Sequence, residues 1–262
     1  MVKRVLVTGG AHRLGRLICQ QFAQDGWQVW CHAQNSMAAA EALCQELVAQ
    51  GGMAQAVQAD LAVAADRQRM MAQIVAQAGP LDCLVNNASS FEPDGARDFD
   101  EEALRAQLEV NLIAPLALSR LMAQSLPSNA ASGARSIVHV LDQKVFNLNP
   151  DYFSYTVSKL ALERSVALQA QALAPHIRVC GVAPGLMFLS GPQTQANFDQ
   201  ASQVNLLKRA IDPAQVAATC LFMANNPALT GVTLAVDNGQ HLVPLARDVM
   251  FMVDGASKEN HA

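Results

Sequence analysis

Seven short runs rich in β-branched residues alternate with six longer amphipathic stretches, and this rhythm limits the fold more than any other feature of the chain. The runs are 4–8, 28–32, 54–58, 83–86, 136–141, 178–183 and 232–236; the helical stretches are 14–24, 37–50, 65–78, 101–126, 155–173 and 213–224. Strands that alternate with helices imply βαβ units, and right-handed crossovers then give a parallel sheet covered on both faces. The expectation is an α/β chain: a single-domain, Rossmann-type, doubly wound parallel sheet of about seven strands flanked by helices. No Pro/Gly-rich linker or repeat divides it. The domain is expected over 1–245, with a polar insertion at 187–209 placed where a substrate lid would sit, and a tail over 246–262 without strong period.

At 51% hydrophobic and 15% charged residues the chain reads as ordered and globular. Its net charge is −4 with no Lys/Arg cluster, which argues against nucleic acid as a partner. No apolar run is long enough for a bilayer, and the first residues enter a strand directly without a signal peptide, so no membrane association and a cytoplasmic location are expected. The six cysteines and six histidines share no metal-ligand spacing, and the thiols read as reduced core residues. No metal site is expected.

The first run ends in Thr8-Gly9-Gly10-Ala11-His12-Arg13-Leu14-Gly15 and passes at once into a helix. A glycine-rich strand–turn–helix is the context in which backbone N–H groups and the helix dipole receive a pyrophosphate. Gly9 permits the turn and Gly15 the close approach, although a glycine turn by itself can also be without chemical consequence. A dinucleotide site selective for NAD places an acid near the end of the second strand. Here that region reads His32-Ala33-Gln34-Asn35-Ser36, without one, and Arg13 can pair with a 2′-phosphate. NADPH/NADP is the expected cofactor.

Tyr155 and Lys159 lie at i and i+4 on one helix face. A free phenol titrates near ~10, and a neighbouring ammonium is expected to bring it toward the working range. Pro115 lacks an N–H, so the carbonyl of Asn111 loses its helical partner and can hold a water that links Lys159 to solvent. A plain proline kink is the duller alternative. An apolar surface broader than one face on the stretch from Tyr155 suggests burial by a second subunit.

The glycine loop, Asp60-Leu61 after the third run, Asn86-Asn87-Ala88 after the fourth, Tyr155-Thr156-Val157-Ser158-Lys159, Pro184-Gly185 and Val236-Asp237 occur in an order that resembles the short-chain dehydrogenase/reductase family, with Arg13 in place of the middle loop glycine. That resemblance implies a homotetramer and cofactor contacts from Gly9, Arg13, Leu14, Gly15, His32, Asn35, Ser36, Asp60, Leu61, Asn87, Ala88, Ser89, Tyr155, Lys159, Pro184 and Gly185. It assigns catalysis to Tyr155, Lys159 and Asn111. Where carbonyl-reducing members carry a serine, this chain has Asp142, thirteen residues before Tyr155. An ionised carboxylate cannot donate to an oxyanion but suits a substrate with N–H groups. Arg13, the run Val85–Phe91 and Asp142 together resemble pteridine reductases. By that likeness Arg13, Ser89, Phe91, Asp142, Tyr155 and Leu186 would hold a pterin-like small molecule, with Phe91 stacked on it and Asp142 catalytic. A carbonyl reductase of the same family, a crippled enzyme, and a non-enzymatic NADP-binding protein are the other readings.

Overall fold

The computed structural model describes residues 2–189, 191 and 193–253. Seven parallel strands, β1 (Arg4–Val7), β2 (Gln28–Ala33), β3 (Met53–Gln58), β4 (Cys83–Asn86), β5 (Arg135–Val140), β6 (Ile177–Pro184) and β7 (Thr233–Val236), lie in the order β3-β2-β1-β4-β5-β6-β7. The order reverses between β1 and β4, and a ligand crevice opens beyond the carboxyl ends of the strands at such a switch. Alternation within the strands feeds two cores. Val5 and Val7 face the layer of α1 (Arg13–Gln24), α2 (Met37–Ala49) and α8 (Pro213–Asn225). Leu6 faces the layer of α3 (Ala64–Ala78), α5 (Ala114–Gln124) and α6 (Phe153–Leu173). Buried on both faces, the central strands have near-continuous apolar runs, as parallel sheets require. All six cysteines are free and buried in these layers.

One expectation needs correction. The stretch 101–126 is not one regular helix. α4 (Glu101–Leu108) passes into a π-helical turn, Glu109–Ile113, before α5 begins. The Ala114 N–H reaches back five residues to the Glu109 carbonyl, and Pro115 has no N–H to restore the α register beside Asn111. The tail contains one short element. Val249–Met252 forms a short helix, α9, in which Val249 and Met250 are buried. The end of the tail, 254–262, lies outside the described residues. Within 187–209, α7 (Gln195–Ala201) packs on α9, where Asn197 Nδ2 donates to the Met250 carbonyl at 2.9 Å.

Among the described residues no helix is long and apolar enough to cross a membrane, and no group of three or more His, Cys, Asp or Glu is arranged around a metal position.

Candidate active site

The glycine loop is shaped by contacts that a side chain would abolish. Gly9 has φ +61°, and a Cβ on Gly15 would run into the Gly9 carbonyl oxygen. Asn87 Nδ2 donates to the carbonyls of Thr8 (2.9 Å) and Gly9 (3.0 Å), while Thr8 Oγ1 accepts the N–H groups of Asn87 and Ala88. The Gly9 N–H donates to His32 Nδ1 at 3.1 Å, which leaves His32 Nε2–H for the Ala59 carbonyl at 3.0 Å. Burial pushes the His32 pKa down, so the ring stays neutral in this buckle. The result is a cleft of about 410 Å³ bordered by Gly9, Arg13, Leu14, Gly15, His32, Leu61, Asn87, Ala88 and Ser89, all expected from sequence. A glycine cradle at a helix N-terminus, opposite a guanidinium, fits a dinucleotide pyrophosphate.

His12, Gln34, Val110, Met187 and Phe188 complete that cleft and were not foreseen. Asn35 and Asp60 border an adjoining polar recess with Gln34 and Arg69. Ser36 stands at the start of α2 without a side-chain capping bond. Pro184 ends β6, and Gly185 and Leu186 border a second cavity rather than the dinucleotide cleft.

Arg13 takes a left-handed backbone, φ +47°, at the position where the loop pattern has glycine. Such a conformation costs a non-glycine residue about 1–2 kcal/mol. In return the guanidinium stands over the Phe188 ring (5.9 Å), donates to the Leu189 carbonyl (3.2 Å) and borders both the cleft and the second cavity.

The second cavity, about 190 Å³, is bordered by Phe91 and Asp142 beside Arg13, Met187 and Phe188, and on another side by Lys144 and 248–250. Tyr155 Oη donates to Asp142 Oδ2 at 2.9 Å, and Asp142 Oδ1 accepts the Lys144 N–H at 2.8 Å. Burial above all raises the Asp142 pKa. Phe91 stacks on Tyr152 with centroids 4.2 Å apart and meets Tyr155 edge-on at 4.6 Å.

Lys159 was expected to lower the Tyr155 pKa, and here the direction is opposite. Burial first, then the Asp142 carboxylate, hold the phenol well above 10.0. Lys159 spends its ammonium on the Val140 carbonyl, 2.8 Å away, and lies 5.6 Å from the Tyr155 ring centroid. Burial brings its own pKa down to about 8.

The Asn111 side chain is a brace. Oδ1 accepts from Ser90 N (2.8 Å) and Ser89 Oγ (3.1 Å); Nδ2 donates to the Ser90 carbonyl (2.8 Å) and Ser158 Oγ (3.0 Å). With its amide spent, Asn111 ties the loop that carries Ser89 and Phe91 to α6. Any part in proton transfer falls to its backbone carbonyl.

A glycine cradle for a nucleotide, next to a cavity whose Asp142 is hydrogen-bonded to Tyr155 at the carboxyl edge of a parallel sheet, defines a dinucleotide-dependent oxidoreductase. The family described as enoyl-(acyl carrier protein) reductase matches residues 9–241. This chain belongs to the short-chain dehydrogenase/reductase family. Among solved structures it is similar to FolM alternative dihydrofolate reductase 1 from Brucella canis, complexed with NADP. They share 37% identity and a TM-score of 0.86 over 92% of this chain and 94% of that one. It is also similar to a blue fluorescent protein from a metagenomic library in complex with NADPH (27%, TM-score 0.83, 91% and 97% covered). The 3-oxoacyl-[acyl-carrier-protein] reductase FabG of Staphylococcus aureus is 28% identical over 92% of this chain and 99% of its own length.

Proposed function

We propose that the chain is an NADPH-dependent reductase of a C=N bond in a dihydropterin- or dihydrofolate-type heterocycle. The observation that carries this reading is the 2.9 Å hydrogen bond from Tyr155 to Asp142, whose carboxyl borders the cavity that Phe91 also borders. Reducing C=N needs a hydride at carbon and a proton at nitrogen. A buried carboxyl with a raised pKa can bring that proton into the cavity, and a phenol held neutral by the same burial can relay it. Phe91 offers a flat apolar wall to a planar ring.

Bound NADPH would supply the hydride. Gly9, Gly15 and the start of α1 would receive its pyrophosphate, Arg13 its phosphate charge, and Asn35 and Ser36 leave the 2′-position without a repelling acid. Lys159 would hold the ribose. The likeness to a FolM protein complexed with NADP supports both cofactor and substrate class.

Anaerobic assays of NADPH oxidation with dihydropterins, dihydrofolate and simple ketones test the reading. Dihydropterin turnover is the expected result. Turnover of ketones alone would replace it with carbonyl reduction at the same site. We expect a cytoplasmic protein and a homotetramer, the latter because Leu168 on α6 is 66% exposed in the single chain. Light scattering tests the assembly.

A further inference from the structure

The substrate cavity has one wall built by the far end of the chain, and the charges on it are unequally available. Asp248, Val249 and Met250 border this cavity and not the dinucleotide cleft. Arg13, Met187 and Phe188 border both. The reacting atom of a substrate must lie at that shared boundary, so a substituent on the ring away from the cofactor points toward the 248–250 wall.

Four charged side chains face the space: Arg13, Asp142, Lys144 and Asp248. Arg13 belongs to the cofactor boundary and Asp142 to the Tyr155 pair. Lys144 looks like an anion receptor but is fully spent. Its three ammonium hydrogens have three acceptors, Asn149 Oδ1 (2.9 Å), the Asp151 carbonyl (3.1 Å) and Asp248 Oδ2 (2.9 Å). Its side chain is 3% exposed, against 16% for that of Asp248. Asp248 Oδ1 accepts the Met250 N–H at 3.2 Å and Oδ2 takes Lys144, so each oxygen keeps a lone pair for a further donor.

Asp248 is also held firmly. Its N–H donates to Asp151 Oδ2 at 2.6 Å, and Arg247 Nε donates to both oxygens of that carboxylate. The buried Met250 is pinned by Asn197 and by the Tyr152 hydroxyl, which donates to its sulfur at 3.2 Å. The carboxylate that meets an incoming substituent is preorganised rather than trailing.

We propose that Asp248 is a specificity-determining residue that accepts hydrogen bonds from an uncharged, hydroxyl-bearing substituent and repels a carboxylated one. This rests on the heterocycle-reductase reading and deepens it. Hydroxyls can donate to the free lone pairs of Asp248, whereas a second carboxylate a few ångströms away finds the lone pairs of a like charge turned toward it and the ammonium of Lys144 already spent.

The test compares kcat/KM for a dihydropterin carrying a polyhydroxyl side chain with that for dihydrofolate, in the full chain and in Asp248→Asn and Asp248→Ser. Asp248→Asn keeps an oxygen for the Met250 N–H but turns an amide NH2 toward the Lys144 ammonium, and Asp248→Ser, which lacks that donor pair, controls for this. Both variants are expected to shift the ratio toward dihydrofolate by about tenfold, chiefly through a lower KM for dihydrofolate. Calorimetric binding of folate and pterin, without turnover, is expected to shift in the same sense. Raised ionic strength should narrow the preference of the unaltered enzyme but not of the variants. A structural defect would depress both substrates and leave their ratio and its salt dependence alone. Measurable turnover of both substrates with an unchanged ratio in both variants overturns the role of Asp248. Turnover of neither by the unaltered enzyme overturns the heterocycle reading itself.

Discussion

The phenol of Tyr155 and the carboxyl of Asp142 share one hydrogen bond of 2.9 Å, which raises the phenol's pKa and opposes the rise that burial imposes on the carboxyl. Burial and the adjacent Asp142 charge hold the phenol far above 10.0, while burial lifts the carboxyl above 3.8. To deliver the proton, the carboxyl must act in its protonated form, which its burial favours. Activity should fall as pH rises through the raised Asp142 pKa, because the proton donor is then lost. Tyr155→Phe removes the relay and should cost about 10²–10⁴-fold in kcat. Asp142→Ser should cost most of the dihydropterin turnover and improve ketone reduction; unchanged dihydropterin turnover would remove Asp142 from the mechanism. Steady-state pH profiles and single-turnover rates check both.

Arg13 supplies a second prediction, because its φ of +47° carries a stability cost that its contacts must offset. Arg13→Gly relieves the left-handed strain, about 1–2 kcal/mol, against about 0.5–1 kcal/mol of added unfolded-state entropy. Folded stability should hold or rise slightly. Affinity for NADPH should fall by about tenfold or more with the loss of a charge-assisted bond. Thermal melting and fluorescence titration separate the two effects. A variant that melts earlier yet binds NADPH normally would make Arg13 a structural residue.

Much of this architecture was legible locally. Val5, Val7 and Leu6 point to opposite cores, and strands buried on both faces advertise themselves as β-branched runs between helix-length segments. The glycine loop and the Tyr155–Lys159 spacing were equally visible because each is a short-range pattern. The π turn at Glu109–Ile113 was hidden, since one extra residue in a helical turn leaves composition untouched, and Pro115 was its only trace. Asp248 and Lys144 were beyond reach: their bond to each other and that of Asp248 to Asp151 close loops of about a hundred residues, for which no local period exists. The same holds for Met187 and Phe188, although their place just after Pro184-Gly185 at the end of β6 was a usable signal. The direction of the Tyr155 shift was missed for a different reason: i,i+4 spacing shows that two side chains are neighbours, but not that Lys159 turns its ammonium to the Val140 carbonyl.

Lys159 leads to a third prediction. A lysine in the unfolded chain titrates near ~10.4, and burial brings the native value to about 8. Below pH 8 both states are protonated and the native state carries the full desolvation cost. Between the two values the unfolded chain holds a proton that the native chain has lost, so stability rises with pH across that window. Lys159→Met removes a penalty of up to about 3 kcal/mol and orphans the Val140 carbonyl at about 1–2 kcal/mol, leaving a net gain of about 1 kcal/mol at neutral pH. That gain should shrink as pH rises past 8, while activity is lost throughout. Urea unfolding of the apoprotein at several pH values measures it.

His139 makes the acid side of the stability profile predictable. Its ring sits inside β5 between two amides, with Nδ1 3.1 Å from Asn86 Nδ2 and Nε2 3.0 Å from Gln169 Nε2. Burial, with the nearby Lys159 charge in support, drives its pKa down to about 4. An unfolded histidine titrates near ~6.5, so between that value and about 4 the unfolded chain takes up a proton that the native ring refuses. Stability conferred by the neutral ring is complete above the unfolded value and drains away as pH falls through the window, by at most about 3 kcal/mol. His32 is shifted in the same direction by the same cause and adds to the loss. His139→Gln keeps a hydrogen-bonding side chain between the two amides and has nothing to titrate. Its unfolding free energy should be lower at neutral pH, because the glutamine fills the ring's space poorly, but should decline less steeply on acidification. Denaturant midpoints taken at about pH 7, 6 and 5 for both proteins decide the matter. Parallel slopes would mean that His139 accepts its proton in the folded state, and that the acid sensitivity of this fold resides elsewhere.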